Sequence, residues 1–236
     1  NNVDLILANA TAPLQSAAAA TTDIPILGTS VTDYATALDI SDWSGTTGRN
    51  ISGTSDLAPL SEQAAMLNEL FPDAKNVGLL YCSAEANSQY QIDVIKEELE
   101  KLNYTCTAYS FVDSNDIASV VQSAVNDNDV LYVPTDNTAA SNTEVINNIA
   151  GEAGVPIIAG EAGICKGCGV ATLSISYYDL GYQTGKMAYE ILVNGADPST
   201  MEVEFAPAVT KQYNPDICEK LGITVPDDYK ALDMSE

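Results

Sequence analysis

The chain has 236 residues, which is long enough for two domains of ordinary size. Nine basic residues against 33 acidic ones give a formal net charge of −24, with no histidine and a single arginine, Arg49. Such a surface repels nucleic acid and anionic membranes, because binding to either depends on lysine and arginine near the phosphates. No apolar run approaches the roughly 20 residues that span a bilayer.

Strand and helix patterns alternate along the whole chain. Short apolar and β-branched runs predict strands at 3–7, 24–27, 50–53, 77–81, 104–109, 130–133, 155–158 and 170–173, and a further strand at 203–210. Apolar residues at helical spacing predict helices at 13–20, 60–70, 86–102, 117–125, 139–150, 180–193 and 215–221. This alternation is typical of mainly parallel sheets with right-handed crossovers.

The sequence contains an internal repeat. Asp4 and Asp129 begin equivalent strands, each followed by a helix, a strand opened by a proline (Pro25 and Pro156), a third strand and a longer amphipathic helix. The repeat predicts an α/β protein of two similar lobes, the first comprising 1–73 and 203–236 and the second 74–202. Two strand–helix units precede the repeated strand in the second copy, so the comparison predicts that about 50 residues of the first lobe lie upstream of residue 1.

Five cysteines, Cys82, Cys106, Cys165, Cys168 and Cys218, form an odd set in a chain that is large enough to fold without disulfides. Cys165-Lys166-Gly167-Cys168 is a C-x-x-C motif, but a single pair without histidine is a weak zinc signal. We interpret the motif as part of a glycine-rich loop between two strands, with free thiols or a local disulfide. The sequence therefore predicts no metal site and no cofactor.

Ligands of open α/β sheets bind where strands end and helices begin, because the free N–H groups of the first helical turn face the crevice. Asp136 lies at such a place, since the apolar strand 130–133 is followed by Pro134 and then by turn and N-cap residues up to Asn137. The repeat places a similar strand end in the other lobe. We therefore expect a small molecule to bind in the cleft between the two lobes.

Five short motifs together resemble the substrate-binding proteins of ABC importers of the tryptophan/tyrosine type, and they span nearly the whole chain. The motifs are Gly53-Thr54-Ser55-Asp56, Tyr81-x-x-x-Glu85-Ala86-Asn87-Ser88, Pro134-Thr135-Asp136-Asn137-Thr138, Gly160-Glu161-x-Gly163 and Tyr177-Tyr178-x-Leu180-Gly181-Tyr182-Gln183-Thr184-Gly185. The resemblance implies a monomeric extracytoplasmic receptor, often a lipoprotein, with the type I periplasmic-binding fold. It also implies an amino-acid ligand and an ABC importer membrane subunit as partner. The sequence departs from the family at the cysteine pair and at Tyr34, where proline is common.

An amino acid presents a carboxylate, an ammonium group and a side chain, and the sequence offers candidates for each. With one arginine in the chain, we expect N–H groups and hydroxyls to hold the carboxylate, at Thr11, Ala12, Thr32 and Ser55. For the ammonium group the first candidate is Asp136, followed by Glu85 and Glu161. Polar side chains at helix starts (Asn87, Ser88 and Asn137) and aromatic rings (Tyr81 with Tyr177 or Tyr178) complete the predicted site.

Each candidate has a structural alternative. Asp136 and Asn137, like Ser55 with Asp56, have the residue types that cap helices, and Glu85 and Glu161 have those of solvated carboxylates. A sugar receptor of the same fold and the effector-binding domain of a transcriptional regulator are the alternative functions. An enzyme is disfavoured because the sequence has no histidine, no G-x-S-x-G motif and no glycine-rich phosphate loop. The sequence thus predicts a non-enzymatic receptor for an aromatic amino acid.

Overall fold

The computed structural model describes residues 3–235, which form two units. Within these residues the strands are β1 (Ile6–Asn9), β2 (Ile26–Thr29), β3 (Ile51–Ser55), β4 (Asn76–Cys82), β5 (Thr105–Phe111), β6 (Val130–Val133), β7 (Ile157–Ala159), β8 (Ala171–Ile175), β9 (Glu204–Phe205), β10 (Val209–Tyr213) and β11 (Lys230–Ala231). The helices are α1 (Thr11–Ala20), α2 (Tyr34–Leu38), α3 (Leu60–Leu70), α4 (Ala86–Lys101), α5 (Ile117–Asp127), α6 (Asn137–Ala140), α7 (Thr143–Ala153), α8 (Ala162–Cys168), α9 (Tyr177–Leu192) and α10 (Pro215–Leu221).

Unit 1 consists of the chain up to Leu57 together with Ser176–Ala208. Its four strands are parallel, in the order β1-β2-β3-β9. Successive side chains of β2 lie on opposite faces of the sheet. Ile26 therefore packs with α1 and α2 on one face, and Leu27 packs against Met187 of α9 on the other. The sheet of unit 1 is therefore covered by helices on both faces.

Unit 2 consists of Ala58–Ile175 and the chain from Val209 onward. Its seven strands run in the order β11-β10-β8-β7-β6-β4-β5, and only the β8–β10 pair is antiparallel. Helices α5, α7 and α8 pack on one face of this sheet, where Leu131 and Val133 of β6 belong to the core cluster. Helices α3 and α4 pack against each other, α3 also against β8 and α4 against β4 and β5. The predicted α/β class with mainly parallel sheets is confirmed.

The boundaries of the units differ from the predicted lobes. Helix α9 belongs to unit 1 because Leu180, Met187 and Ile191 are buried there, and α3 belongs to unit 2, where Gln63 bonds to Gly160. The helix that ends each copy of the repeat is thus exchanged between the units. The C-terminal segment joins unit 2 instead of the first lobe, because β10 pairs with β8.

Three local predictions are corrected by the structure. The predicted strand 203–210 is two strands, since Pro207 in the intervening segment has no N–H to donate. The predicted helix 139–150 is two helices, α6 and α7. The C-x-x-C motif lies in helix α8, not in a loop; a Cβ on Gly167 would lie 2.2 Å from Thr143 Oγ1, so this glycine serves close packing of α8 on α7.

The cysteines are free thiols among the described residues. Cys165 and Cys168 are buried, and burial raises the pKa of both thiols, so they carry little of the reactive thiolate. No group of three histidine, cysteine or acidic side chains within residues 3–235 has an arrangement that could hold a metal ion. In the same part of the chain, no helix combines the length and apolar character needed to cross a membrane.

Candidate ligand-binding site

The carboxyl ends of strands β1, β2 and β3 meet at one edge of the sheet of unit 1, since Asn9 pairs with Thr29 and Gly28 with Gly53. Three predicted site residues, Thr11, Thr32 and Ser55, are buried at this edge. Ser55 Oγ donates a hydrogen bond to the Thr32 carbonyl oxygen (2.8 Å) and accepts one from the Leu57 N–H (3.2 Å). Ser55 therefore joins two strand-end loops, and it does not cap α3, whose N-cap is Pro59.

The N-terminus of α1 lies at the same edge. No side chain caps this helix, its first turn has no acidic residue, and Ala12 is exposed while Thr11 is buried. The preceding residue, Ala10, has φ 77° and ψ 169°, a conformation that is almost confined to glycine and costs of order 1–3 kcal/mol. Its N–H donates to the Thr29 carbonyl oxygen (3.0 Å), which holds this backbone against β2. The arrangement presents the partial positive charge of a helix N-terminus at a fixed place.

Tyr177 is the first residue of α9 and contacts the end of β3. Its hydroxyl donates to Oδ2 of Asp56 (3.2 Å), a buried carboxylate, while the neighbouring Tyr178 is 82% exposed. Of the two adjacent tyrosines, Tyr177 is therefore the one at the strand-end edge. Burial raises the pKa of the nearby Tyr34, and the negative charge of Asp56 raises it further, so the Tyr34 phenol is a neutral donor to the Thr54 carbonyl oxygen.

In unit 2 three carboxylates lie at the N-caps of helices that follow strands: Glu85 before α4, Asp136 before α6 and Glu161 before α8. Asp136 is almost fully buried, and its two oxygens accept the N–H groups of Cys82 (2.7 Å) and Ala139 (2.8 Å). Burial raises the pKa of Asp136; the Ala139 hydrogen bond opposes this effect, and the charge of Glu85 adds to it. The capping role is thus confirmed, because Asp136 is the N-cap residue of α6 and accepts the Ala139 N–H.

Glu85 is not a solvated carboxylate. Its oxygens accept hydrogen bonds from the backbone N–H and side-chain amide of Asn137 and from the N–H and hydroxyl of Thr138, at 2.7–3.0 Å. Burial raises its pKa, but these hydrogen bonds from Thr138 and Asn137 outweigh burial and leave the pKa below its ordinary value. Asn87 donates both to Glu85 Oε2 (3.3 Å) and to the Thr135 carbonyl oxygen (3.2 Å). The structure therefore brings Glu85, Asn87 and Asn137 together.

The remaining predicted residues of unit 2 are partly or fully buried. Glu161 caps α8 by accepting the N–H groups of Gly163 (2.6 Å) and Ile164, and burial raises its pKa. Ser88 is fully buried beside Asn87 and hydrogen-bonds to Asp136. Tyr81 is buried near the end of β4. The structural alternative predicted for Glu161 was a solvated carboxylate, whereas the structure shows a helix-capping residue.

Two buried glutamines that contact the strand-end loops were not among the residues predicted from the sequence. Gln91 of α4 and Gln63 of α3 are each 1% exposed, and each bonds to the backbone of a strand-end loop, Gln91 at Thr135 and Gln63 at Gly160. Gln63 lies on the apolar face of its helix, between Leu60 and Leu67, and Gln91 follows Asn87 by one helical turn. A polar side chain on a core-facing stripe is the signal that could have identified them.

Two α/β units with mainly parallel sheets are the architecture of the type I periplasmic-binding class, which the solved structures described below share. The chain belongs to the family of ABC transporter substrate-binding proteins, whose family model matches residues 1–234. The predicted family and fold are confirmed. The members that this model describes are substrate-binding proteins of ABC transporters.

Similar proteins include a curated tyrosine-binding protein from Clostridioides difficile, 37% identical over 80% of this chain. The chain spans 54% of the length of that relative. Among solved structures, a Streptococcus pneumoniae ABC domain in complex with L-tryptophan is 31% identical, with a TM-score of 0.92 over 98% of this chain and 82% of that one. A ligand-free, open substrate-binding protein with adhesive properties from Clostridium difficile is 36% identical, with a TM-score of 0.75 over 98% and 79% of the two chains.

Proposed function

We propose that the chain is the ligand-recognising part of an extracytoplasmic receptor of an ABC importer and that its ligand is an aromatic α-amino acid. The observation that carries the proposal is the set of strand-end groups in the two units, which matches the chemistry of an amino acid. Relatives named for tyrosine or solved with L-tryptophan, at 37% and 31% identity, support the ligand class.

The ligand carboxylate binds in unit 1 at the N-terminus of α1. This helix has ten residues and no side-chain cap, so its first N–H groups and the Thr11 hydroxyl can serve an anion. The strained Ala10 supports this assignment, because backbone strain of this kind persists where function requires it. Thr32 and Ser55 at the same edge are the further carboxylate contacts.

The ligand ammonium group binds in unit 2 at Asp136, and Glu85 and Glu161, at N-caps of the same unit, are the further candidates. Asp136 is already held in place by two backbone N–H groups, so it can accept a charged donor without reorganising. A bound cation also offsets the free-energy cost of burying the Asp136 charge, which is the cost that raises the pKa of this carboxyl group. Asn87, Ser88 and Asn137 order the surrounding loop.

The aromatic side chain of the ligand packs on a tyrosine ring, for which Tyr177 and Tyr81 are the candidates. Tyr177 is only 39% exposed and is fixed through its hydroxyl to Asp56, which gives its ring a defined orientation. The membrane subunit of an importer is the proposed partner, and the receptor acts as a monomer on the outer face of the membrane, secreted or lipid-anchored. The family description supports the partner.

The test is the affinity of the Asp136→Asn variant for L-tyrosine, L-tryptophan and L-phenylalanine, measured by calorimetry. Removing one partner of a buried charge pair is expected to weaken binding by about 2–5 kcal/mol. Asp129→Asn is the matched control: Asp129 precedes the same strand, β6, and also accepts two backbone N–H groups (both 2.9 Å), but at the opposite end of the strand. It should lower stability and leave the affinity unchanged.

Two outcomes contradict the proposal. Unchanged affinity in Asp136→Asn would restrict Asp136 to its capping role. A thermal-shift panel of amino acids, nucleobases and sugars tests the ligand class, because a ligand that binds only the folded protein raises its midpoint. Stabilisation by sugars alone would keep the fold and overturn the amino-acid ligand.

A further inference from the structure

We propose that Gln91 and Gln63 are positioning residues that hold the two strand-end loops of unit 2 in the geometry that binds the ligand. The first loop, residues 134–136, follows β6 and contains Asp136; the second, residues 160–161, follows β7 and contains Glu161. We call them the loop pair. The inference rests on the proposed function, because the loop pair carries two of the carboxylates assigned to the ligand.

Gln91 satisfies both backbone groups of one residue in the first loop. Its Oε1 accepts the Thr135 N–H (3.0 Å), and its Nε2 donates to the Thr135 carbonyl oxygen (3.0 Å). The Gln91 amide thus makes the two backbone hydrogen bonds that a neighbouring strand would otherwise make with Thr135. Since Thr135 immediately precedes Asp136, Gln91 fixes the backbone from which the Asp136 carboxylate projects.

Gln63 performs the equivalent function for the second loop. Its Nε2 donates to the Gly160 carbonyl oxygen (3.2 Å), and its Oε1 accepts the hydroxyl of Tyr132. Tyr132 is fully buried in β6, so Gln63 connects the loop after β7 to the strand that leads into the first loop. Gly160 immediately precedes Glu161, the cap of α8.

The two loops also contact each other directly through their backbones. A Cβ placed on Gly160 would lie 2.6 Å from the Thr135 nitrogen and 2.7 Å from the Pro134 carbonyl carbon. The glycine is therefore required by the close approach of the two loops and not by its backbone torsion. Because the two backbones are in contact, a displacement of Thr135 would also displace Gly160. Gln91 and Gln63 therefore support the loop pair as one unit.

A purely structural role is the alternative, since a buried backbone polar group must be satisfied whether or not a ligand binds. A structural role and a positioning role predict different affinities for a variant that remains folded. A structural glutamine changes the stability of the protein and leaves the affinity of the folded state unchanged. A positioning glutamine changes the affinity, and the change is transmitted through Asp136.

The experiment compares Gln91→Met with Gln89→Met in the complete chain, using L-tyrosine and L-tryptophan as probes in calorimetry. Methionine retains the length of glutamine without its hydrogen bonds, and the side chain of Gln89, on the same helix, donates to Asp93 at the surface. We expect affinity to fall about tenfold in Gln91→Met. It should be unchanged in Gln89→Met. Gln63→Met is the second variant and should behave like Gln91→Met.

A double-mutant cycle identifies the route of the effect. If Gln91 acts through Asp136, then Gln91→Met will lower the affinity much less in the Asp136→Asn background than in the natural chain. Equal losses in both backgrounds, or natural affinity in folded Gln91→Met and Gln63→Met, would overturn the inference and leave the proposed function standing. A natural chain that binds none of the aromatic amino acids would overturn the proposed function, and the inference with it.

Discussion

The two units carry the same repeat but support their strand ends with different chemistry. In unit 1 the phenol of Tyr34 lies against Gly28 and Gly53, where an added Cβ would be 2.3 Å from its oxygen at either position, and donates to the Thr54 carbonyl oxygen. In unit 2 the amides of Gln63 and Gln91 reach the loop backbones. Either an aromatic hydroxyl between glycines or a buried amide can therefore satisfy the backbone where a parallel strand ends.

The units also differ at equivalent positions of the first repeated strand. Alignment of Asp4 with Asp129 makes Leu7 of β1 the counterpart of Tyr132 of β6, yet Leu7 is 61% exposed and Tyr132 is fully buried. In unit 2, α4 packs beside α3, and Gln63 of α3 covers the Tyr132 hydroxyl. Helix α9, the counterpart of α3, packs on β2 and β3. Among the described residues, strand β1 is an edge strand of its sheet, whereas β6 lies between β7 and β4, so Leu7 has a strand neighbour on one side only and Tyr132 has one on both.

The largest effect is expected from Gly53→Ala, which tests the Tyr34 support of unit 1. Gly53 has φ +147°, and an added Cβ would lie 2.0 Å from the Gly28 carbonyl oxygen, so backbone and not a flexible side chain must move. We expect a loss of more than about 3 kcal/mol in the free energy of unfolding, measured with chemical denaturant.

The matched control for Gly53→Ala is Gly181→Ala on α9. An added Cβ at Gly181 meets no atom within 4 Å, and alanine favours a helix over glycine by up to about 1 kcal/mol. The control should therefore be neutral or stabilising. A Gly53→Ala protein that is as stable as the natural chain would show that the close approach of Gly28 and Tyr34 to Gly53 is not required for stability.

An intermediate effect is expected from Glu85→Gln, which tests the charged support of unit 2. The folded pKa of Glu85 lies below its ordinary value, so its carboxylate contributes stability above that ordinary value. The contribution is lost as the pH falls through the folded pKa. Replacing hydrogen bonds to a charged group should cost about 1–2 kcal/mol at neutral pH.

The measurement is the unfolding midpoint of the natural chain and of Glu85→Gln across the acid range. The difference between the two proteins should be largest near neutral pH and should shrink on acidification below the ordinary pKa of glutamate. Asp136 opposes this trend in both proteins, because burial raises its pKa and its unfavourable ionisation is relieved in acid. A difference that does not change with pH would show that the charge of Glu85 is not what stabilises α6.

The sequence predicted strands and helices correctly where the periodicity of apolar residues and the residues that terminate an element indicate the same bounds. Val130–Val133, Leu60–Leu70 and Pro215–Leu221 have the predicted bounds. The prediction failed where tertiary packing overrides local preference: α8 contains two glycines, which indicate a loop locally, yet Glu161 caps the helix and Gly167 allows α7 to approach. Which unit receives α3 or α9 is decided by packing partners far away in sequence, so adjacent sequence could not show it.

The candidate site was predictable to a similar degree. The strand-end locations of Asp136, Glu85 and Ser55 follow from the order of strand and helix, and their roles in binding stay predictions. The partners of these residues were not predictable: the hydrogen bonds of Glu85 cross more than 50 residues to Asn137 and Thr138, and Gln63 reaches Gly160 from another helix. Each such contact depends on the assembled sheet.

The smallest effect is expected from Leu7→Ala, which tests the difference in burial between the units. Leu7 pairs with Leu27 of β2 in the parallel register, but Leu27 is fully buried against α9 while Leu7 is 61% exposed. Truncating an exposed side chain should change the free energy of unfolding by less than about 0.5 kcal/mol. The paired Leu27→Ala should cost about 2–5 kcal/mol, because it leaves a cavity in the core. A loss at Leu7 as large as that at Leu27 would mean that this strand is covered in solution, and a dependence of that loss on protein concentration would identify a second copy as the cover.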